Sequence, residues 1–380
     1  MGNKHKSGTA QRLAALIFTV AFVLISLSVS QPPPPPPPPT PEPTPEQVVM
    51  ESTPMPPPTR TPEPTPEPTP ELFELSLIGD NTLAANHYSK GAPGTYEYVV
   101  GDNYAYPYEM TRQFFENDDC TIANLECVLS EYNIPDIKAF SFRAPPEYVE
   151  ILTQGSVEFV SLGNNHVLDY GETGYADTKA ALDNAGIGYA GRDEWAIHET
   201  ESGLRIGIYA VSFGEIYQIQ AGIAALKEAG AEFIIAALHW GTEGAYRSNE
   251  RQWNQGRAAI DAGADFVMGT HPHTLQEIEE YNGKYIYYSI GNWSFGGNTN
   301  PRDKDTVIVK LTVQRDVDGT ISLIDRRHIP CSISGAEFGN DYQPVPYEEG
   351  SEGWERVMSK LAGTYDGPNL TVGYSYAAEG

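Results

Sequence analysis

The chain has 380 residues, 51 acidic against 24 basic, and a formal net charge of −27. So acidic a surface repels nucleic-acid phosphates, and no basic cluster reverses that, which excludes a nucleic-acid partner. Three cysteines, Cys120, Cys127 and Cys331, give neither a complete disulfide framework nor a CxxC zinc spacing. Packed free thiols are expected, with one bridge as the alternative in an exported protein.

Residues 1–12 carry Lys4, Lys6 and Arg12 ahead of an uncharged apolar run from Leu13 to Val29. A basic flank before such a run is the layout of a membrane-targeting segment, so residues 13–30 are expected to be a single-pass transmembrane anchor. A secretory signal cleaved near Ser28-Val29-Ser30 is the alternative. In both cases the bulk of the chain is expected outside the cell membrane. Residues 31–71 are dominated by Pro, Thr and Glu. Successive prolines fix φ and remove backbone donors, so this stretch is expected to be a polyproline II or disordered stalk. At ~3.1 Å per residue it would reach on the order of 100 Å when fully extended.

The folded part is expected to begin at Leu72, with residues 72–336 as one domain and 337–380 as a C-terminal extension. LFELSLIGD alternates and runs into a loop at Asp80, and CTIANLE is a second strand ending in Glu126. PPEYVEILTQG predicts a helix stopped by Gly155. VEFVSLGNNH is a third strand, and ETGYADTKAALDNAG is a helix closed by Gly186. The strand RIGIYAVSF and the helix IQAGIAALKEAG lead to the apolar strand AEFIIAALHWG. The helix RQWNQGRAAIDAG then leads to ADFVMGTHPH. This alternation is that of an α/β domain. Afterwards Asn282-Gly283 and Asp318-Gly319 each sit between β-rich runs and predict hairpins. The last helical piece is GWERVMSKLAG.

Polar residues stand at five strand ends in turn: Asp80, Glu126, Asn165-His166, His239 and His271-Pro272-His273. In open α/β sheets, ligands bind at the carboxyl ends of parallel strands. Carboxylate, amide oxygen and imidazole together suit a first-row divalent ion, manganese, iron or zinc, and this many donors leave room for one ion or two. Two ions can clamp the attacking and leaving oxygens of a phosphoryl or acyl centre, with a histidine outside the ligand set as proton donor. His166 is the candidate for that role, beside Asn165 as ligand, and Asp169 would fix its tautomer if the loop turns into a helix.

Each residue alone has a plainer reading. Asp80 is a common turn residue, Asn164 a helix cap, and His239 a packed histidine. Asn292 is expected only to shape a turn, and Trp240 and Trp293 to be cleft wall or core. Pro272 is expected to hold His271 and His273 in an extended local geometry.

Six segments in order change the balance: GD at 79–80, NLE at 124–126, NNHVLDYG at 164–171, HWGTE at 239–243, GTHPH at 269–273 and SIGNWSF at 289–295. Over roughly Leu75 to Asp325 the chain resembles the CapA family of capsule and poly-γ-glutamate synthesis, within the calcineurin-like metallophosphatase superfamily. The resemblance implies a two-sheet β-sandwich flanked by helices. It also implies Asp80, Glu126, Asn165, His239, His271 and His273 as metal ligands, with His166 as catalytic histidine.

Three departures stand out. The superfamily's opening Asp-x-His is Asp80-Asn81-Thr82, its bridging aspartate is Glu126, and its Gly-Asn-His-acid is Asn164-Asn165-His166-Val167, with the acid displaced to Asp169. They argue for metal binding without fast phosphatase chemistry.

The expected function is a membrane-tethered, extracytoplasmic role in capsule or poly-γ-glutamate synthesis or export, alongside other capsule-synthesis membrane proteins. The alternatives are a metal-dependent hydrolase acting on a cell-surface phosphate ester and a polymer binder without turnover. A polyanion approaching this acidic chain needs local positive potential, from metal ions and from Arg143, Lys284 or Arg302 if the fold brings them near.

Overall fold

β1 (Glu71–Thr82) sets Phe73, Leu75 and Leu77 on one face, all buried. It opens the part of the chain described by this computed structural model, residues 69–371. The anchor segment 13–30 and the stalk as far as residue 68 lie outside the described residues, as do residues 372–380. Among the described residues no helix is long and apolar enough to cross a membrane.

A short helix, α1 (Tyr96–Val100), precedes β2 (Cys120–Leu125), which is buried throughout. β3 (Val128–Leu129) and β4 (Arg143–Ala144) form a small parallel pair. The predicted proline-led helix is a 3-10 turn, Pro146–Tyr148, continued by α2 (Val149–Gln154). β5 (Phe159–Ser161) leads through turns into α3 (Gly171–Ala185), which Gly186 closes at φ 74 in the left-handed region that glycine tolerates. β6 (Gly188–Ala190), β7 (Glu194–Glu199) and β8 (Arg205–Ser212) precede α4 (Ile216–Glu228). β9 (Phe233–His239) precedes α5 (Glu250–Ala262), whose start is fixed by a reciprocal Asn249–Gln252 capping box. β10 (Phe266–Thr270) follows.

β11 (Ile278–Tyr281) and β12 (Lys284–Tyr287) form the predicted hairpin, with Asn282 at φ 50 and Gly283 at φ 71 as a two-residue turn requires. β13 (Asn292–Phe295) comes next, and then β14 (Asp305–Arg315) and β15 (Ile321–Ser332) form the second hairpin. β16 (Val345–Pro346) and α6 (Glu352–Leu361) complete the order.

The strands make two mixed sheets. The eight-stranded sheet runs β16-β15-β14-β1-β2-β5-β6, with β13 as its eighth strand pairing β1 off that path, and the six-stranded one runs β11-β12-β10-β9-β8-β7. β14 pairs with β1 as far as Leu77, and β13 takes over opposite Asp80. This corrects two expectations: Asp80 lies inside β1, and Asn292 starts a strand instead of shaping a turn.

One buried core joins the sheets, with Leu75, Leu77 and Val309 from the first meeting Ile208, Ile235 and Met268 from the second. A second core packs α2 and α3 against the larger sheet, and a third packs α4 and α5 against the smaller. Trp293 and Trp240 belong to these outer cores, and all three cysteines are buried free thiols.

Candidate metal centre

In both sheets the parallel strands point their carboxyl ends the same way, toward one cleft. Register explains the first layer of the site. Asp80 is the sheet partner of both Asn124 on β2 and Asn292 on β13, so three polar side chains lie abreast. Asn124 Nδ2 donates to Asp80 Oδ1 at 2.7 Å, and the His271 backbone N–H donates to Asp80 Oδ2 at 3.3 Å. On the smaller sheet His239 is paired with Thr270, and their Nδ1 and Oγ1 atoms lie 3.0 Å apart. With the proton on Nδ1, that contact turns the Nε2 lone pair inward.

Three polar atoms converge around that nitrogen. His239 Nε2 is 2.8 Å from Asn165 Oδ1, 3.0 Å from His271 Nδ1 and 3.4 Å from Glu126 Oε1. His273 Nδ1 lies 3.2 Å from Asp80 Oδ2, 3.9 Å from Glu126 Oε2 and 2.8 Å from Asn292 Oδ1. Two overlapping ligand sets result: Asp80, Glu126 and His239, and Glu126, His271 and His273, each with its donor atoms within 4.8 Å of one another. Glu126 is common to both. All six residues expected as ligands are therefore neighbours in space, though Asn165 is the exposed member.

The electrostatics are those of a cluster short of positive charge. Burial, then the neighbouring Asp80, pushes the Glu126 carboxyl well above its usual range. Burial and adjacent imidazoles push His239 and His271 well below theirs. Burial pulls His273 down too, but the Glu126 and Asp80 carboxylates outweigh it and raise that imidazole to about 10. No hydrogen bond reaches the buried Glu126 Oε1. A buried carboxylate oxygen without a donor is costly unless a cation meets it. The donor set and this orphaned oxygen fit a divalent ion.

His166 and Asp169 stand beside the ligands. The turns after Asn164 bring His166 Nδ1 to 2.8 Å from Asp169 Oδ2, which leaves Nε2 for the cavity of about 260 Å³ that His166 lines. Asp169 Oδ2 also accepts the Phe142 N–H at 2.6 Å, and its other oxygen pairs with Lys138. Burial pushes the His166 imidazole down, against the opposing pull of Asp169.

Sequence reasoning missed several members of the site. Asn124 shares Glu126's face by the two-residue period of a strand, a signal present in NLE. Asn292, expected only to shape a turn, meets His273 through both amide atoms, its Nδ2 donating to the His273 carbonyl at 3.2 Å. Thr82 donates its hydroxyl to Glu126 Oε2 at 3.1 Å. His271 and His273 are not extended: their φ values of 95 and 57 are left-handed. Phe213, with φ 49, packs its ring edge-on 4.8 Å from His271. Such clustered backbone strain persists only where surrounding packing enforces it. Of the three cations considered for local positive potential, Arg302 lines the cavity, Lys284 pairs with Asp265, and Arg143 bonds the Ser130 carbonyl and lies over Tyr170.

Residues 74–296, which contain every ligand candidate, match the family model described as bacterial capsule synthesis protein PGA_cap. The chain is 28% identical over 258 residues to the PGA biosynthesis protein CapA of Bacillus subtilis (strain 168), covering 60% of this chain and 64% of that protein. It is 28% identical over 240 residues to the capsule biosynthesis protein CapA of Bacillus anthracis, covering 54% and 57%. The match thus spans less than two thirds of the length of either relative. Among solved structures, NAD nucleotidase of Haemophilus influenzae overlaps with a TM-score of 0.42 at 14% identity, over 77% of this chain and 63% of that one.

Proposed function

This chain belongs to the bacterial capsule synthesis protein family PGA_cap, whose model matches residues 74–296, and from that premise we propose that it serves the synthesis or export of a poly-γ-glutamate capsule. In this reading the anchor and stalk hold a metallophosphatase-like domain outside the membrane, beside other capsule-synthesis membrane proteins. One or two divalent ions, manganese, iron or zinc, occupy the cleft.

The observation that carries the reading is the pair of ligand sets joined by Glu126 with its unpartnered Oε1. Asp80, Glu126, His239, His271 and His273 would hold the ions, with Asn165 completing the set from the cleft side. A divalent ion there supplies Lewis acidity toward an anionic oxygen and offsets the buried carboxylates. The chain's own groups then have definite tasks. Asp169 orients His166, Lys138 holds Asp169 and the Asn165 carbonyl, and His166 Nε2 gives or takes a proton at the bound chain.

The His166–Asp169 pair at the cavity favours a second reading, a metal-dependent hydrolase acting on a cell-surface phosphate ester. A polymer binder without turnover is the third, and it has no use for that pair. Elemental analysis of the purified full chain, wild type against Asp80→Ala/His271→Ala, tests the metal centre. Stoichiometric metal lost in the variant supports it, and no metal after incubation with each ion sinks it. His166→Ala separates enzyme from binder: an enzyme loses turnover and keeps its metal, whereas a binder is unchanged.

A further inference from the structure

The cavity beside His166 and His273 has an outer wall beyond the region of the family match. Past residue 296 it is built by Pro301, Arg302, Asp303, Leu370 and Thr371 among others. The segment that carries the last two is fixed in place. Leu370 N–H donates to the Gly244 carbonyl at 2.9 Å, Tyr246 N–H donates to Asn369 Oδ1 at 3.0 Å, and Arg247 donates to the Tyr365 carbonyl. Gly244, at φ 75, packs so closely that a Cβ there would come within 2.8 Å of Leu370 O. Arg302 donates to the Thr371 carbonyl and so belongs to the same structure.

Charge on this wall is uneven. Asp303 faces the cavity, but the buried Lys360 Nζ meets its oxygens at 2.7 and 2.9 Å. Arg302 is the wall's one lysine or arginine among the described residues, and there its guanidinium donates only to the neutral Thr371 carbonyl. No carboxylate offsets it, in a chain of net charge −27. Lys138, which does not line this cavity, is already paired with Asp169. Between Arg302 and the metal centre two aromatic rings line the cavity, Phe295 at 5.1 Å from the His273 ring and Phe142 at 4.7 Å from that of His166, with the carboxylate of Glu243 and the amide of Asn292 as polar members of the same lining. The two rings suit methylene stems between charged groups.

We propose that Arg302, held by the C-terminal segment 365–371, is the specificity-determining cation of the cleft, taking one carboxylate of an extended polyanionic chain whose neighbouring linkage lies against His166 and His273. This rests on the capsule-polymer reading. A guanidinium fork matches a carboxylate with two parallel hydrogen bonds, which an ammonium cannot do.

Calorimetric titration of the full chain tests it, with a γ-linked glutamate oligomer, the same oligomer fully amidated, and a polyphosphate of equal charge as probes. Arg302→Ala is expected to weaken the oligomer about 10- to 100-fold and leave the amidated probe unchanged. Arg302→Lys should recover only part of the loss. Arg302 is exposed, so both variants should fold, and equal thermal midpoints check this. Equal oligomer affinities in wild type and Arg302→Ala, or equal losses for both glutamate probes, would overturn the assignment and leave the polymer reading standing. Polyphosphate bound more tightly than the oligomer would overturn the carboxylate specificity. If wild type bound no oligomer, the polymer reading itself would fall, and this inference with it.

Discussion

Asp80 and His271 are 191 residues apart, yet the His271 backbone N–H donates to Asp80 Oδ2 at 3.3 Å. That bond links the carboxyl end of a strand in one sheet to the loop after a strand in the other. It closes the two halves of the candidate metal centre onto each other, and the predictions concern what depends on that closure.

Glu126 should trade stability against metal. It is fully buried beside Asp80 with an orphaned oxygen, so in EDTA Glu126→Gln should be more stable than wild type by roughly 1–3 kcal/mol. With added manganese or zinc the order should reverse, because wild type alone gains binding energy. Thermal midpoints under both conditions read this directly. A variant less stable than wild type in EDTA would show that the carboxylate is already satisfied without an ion.

Asp169 should matter for the architecture around His166 without touching metal. Asp169→Asn weakens the acceptor for the Phe142 N–H and removes the charge opposite Lys138, for a loss of roughly 1–3 kcal/mol. Hydrogen exchange at the Phe142 amide should accelerate about tenfold or more, while bound metal stays stoichiometric. Unchanged exchange would detach Asp169 from this role.

Gly79 precedes Asp80, and a Cβ there would fall 1.9 Å from the Gly291 carbonyl oxygen. Backbone cannot step aside as a side chain does, so Gly79→Ala should push β13 off β1 and cost about 2–4 kcal/mol. Because β13 carries Asn292, metal affinity should fall too. Urea unfolding and metal titration on one sample measure both, and full stability would show that the strands have slack.

A pH effect should come from His328, which is not among the metal-centre residues. Arg326 donates to the Tyr287 hydroxyl at 3.3 Å, and that hydroxyl lies 2.6 Å from His328 Nε2. A hydroxyl donating onward needs a neutral imidazole. Burial, then Arg326, lowers His328 to about 4 from an ordinary 6.5. The unfolded chain therefore binds a proton between these values that the fold refuses. Stability is full above about 6.5 and declines as pH falls to about 4, by roughly 1–3 kcal/mol. His328→Gln should flatten that limb in denaturant titrations across the range, and an unchanged limb would assign it to other groups.

Much of the fold was legible because local patterns agreed with tertiary demands. Gly186 stops α3, and Asn282-Gly283 turns a hairpin, since few residues adopt the left-handed backbone those positions need. The weak points were short or context-driven. Asn292 looked like a turn residue because its strand has four residues and pairs only with the far end of β1. Pro272 suggested an extended His271, yet φ there is 95, so surrounding packing overrides the local preference.

By itself the sequence determined the alternation of strands and helices, the residue types at five strand ends and the family. Each is written in neighbouring residues: periodicity, turn chemistry and short motifs. Only the tertiary structure decided that Glu126 is common to two ligand sets, that Asn124 and Asn292 flank Asp80, and that Arg302 joins the cavity while Arg143 and Lys284 are engaged elsewhere. Those facts depend on strand register and on how two sheets face each other. Register comes from summed burial across whole strands, so no single segment carries it.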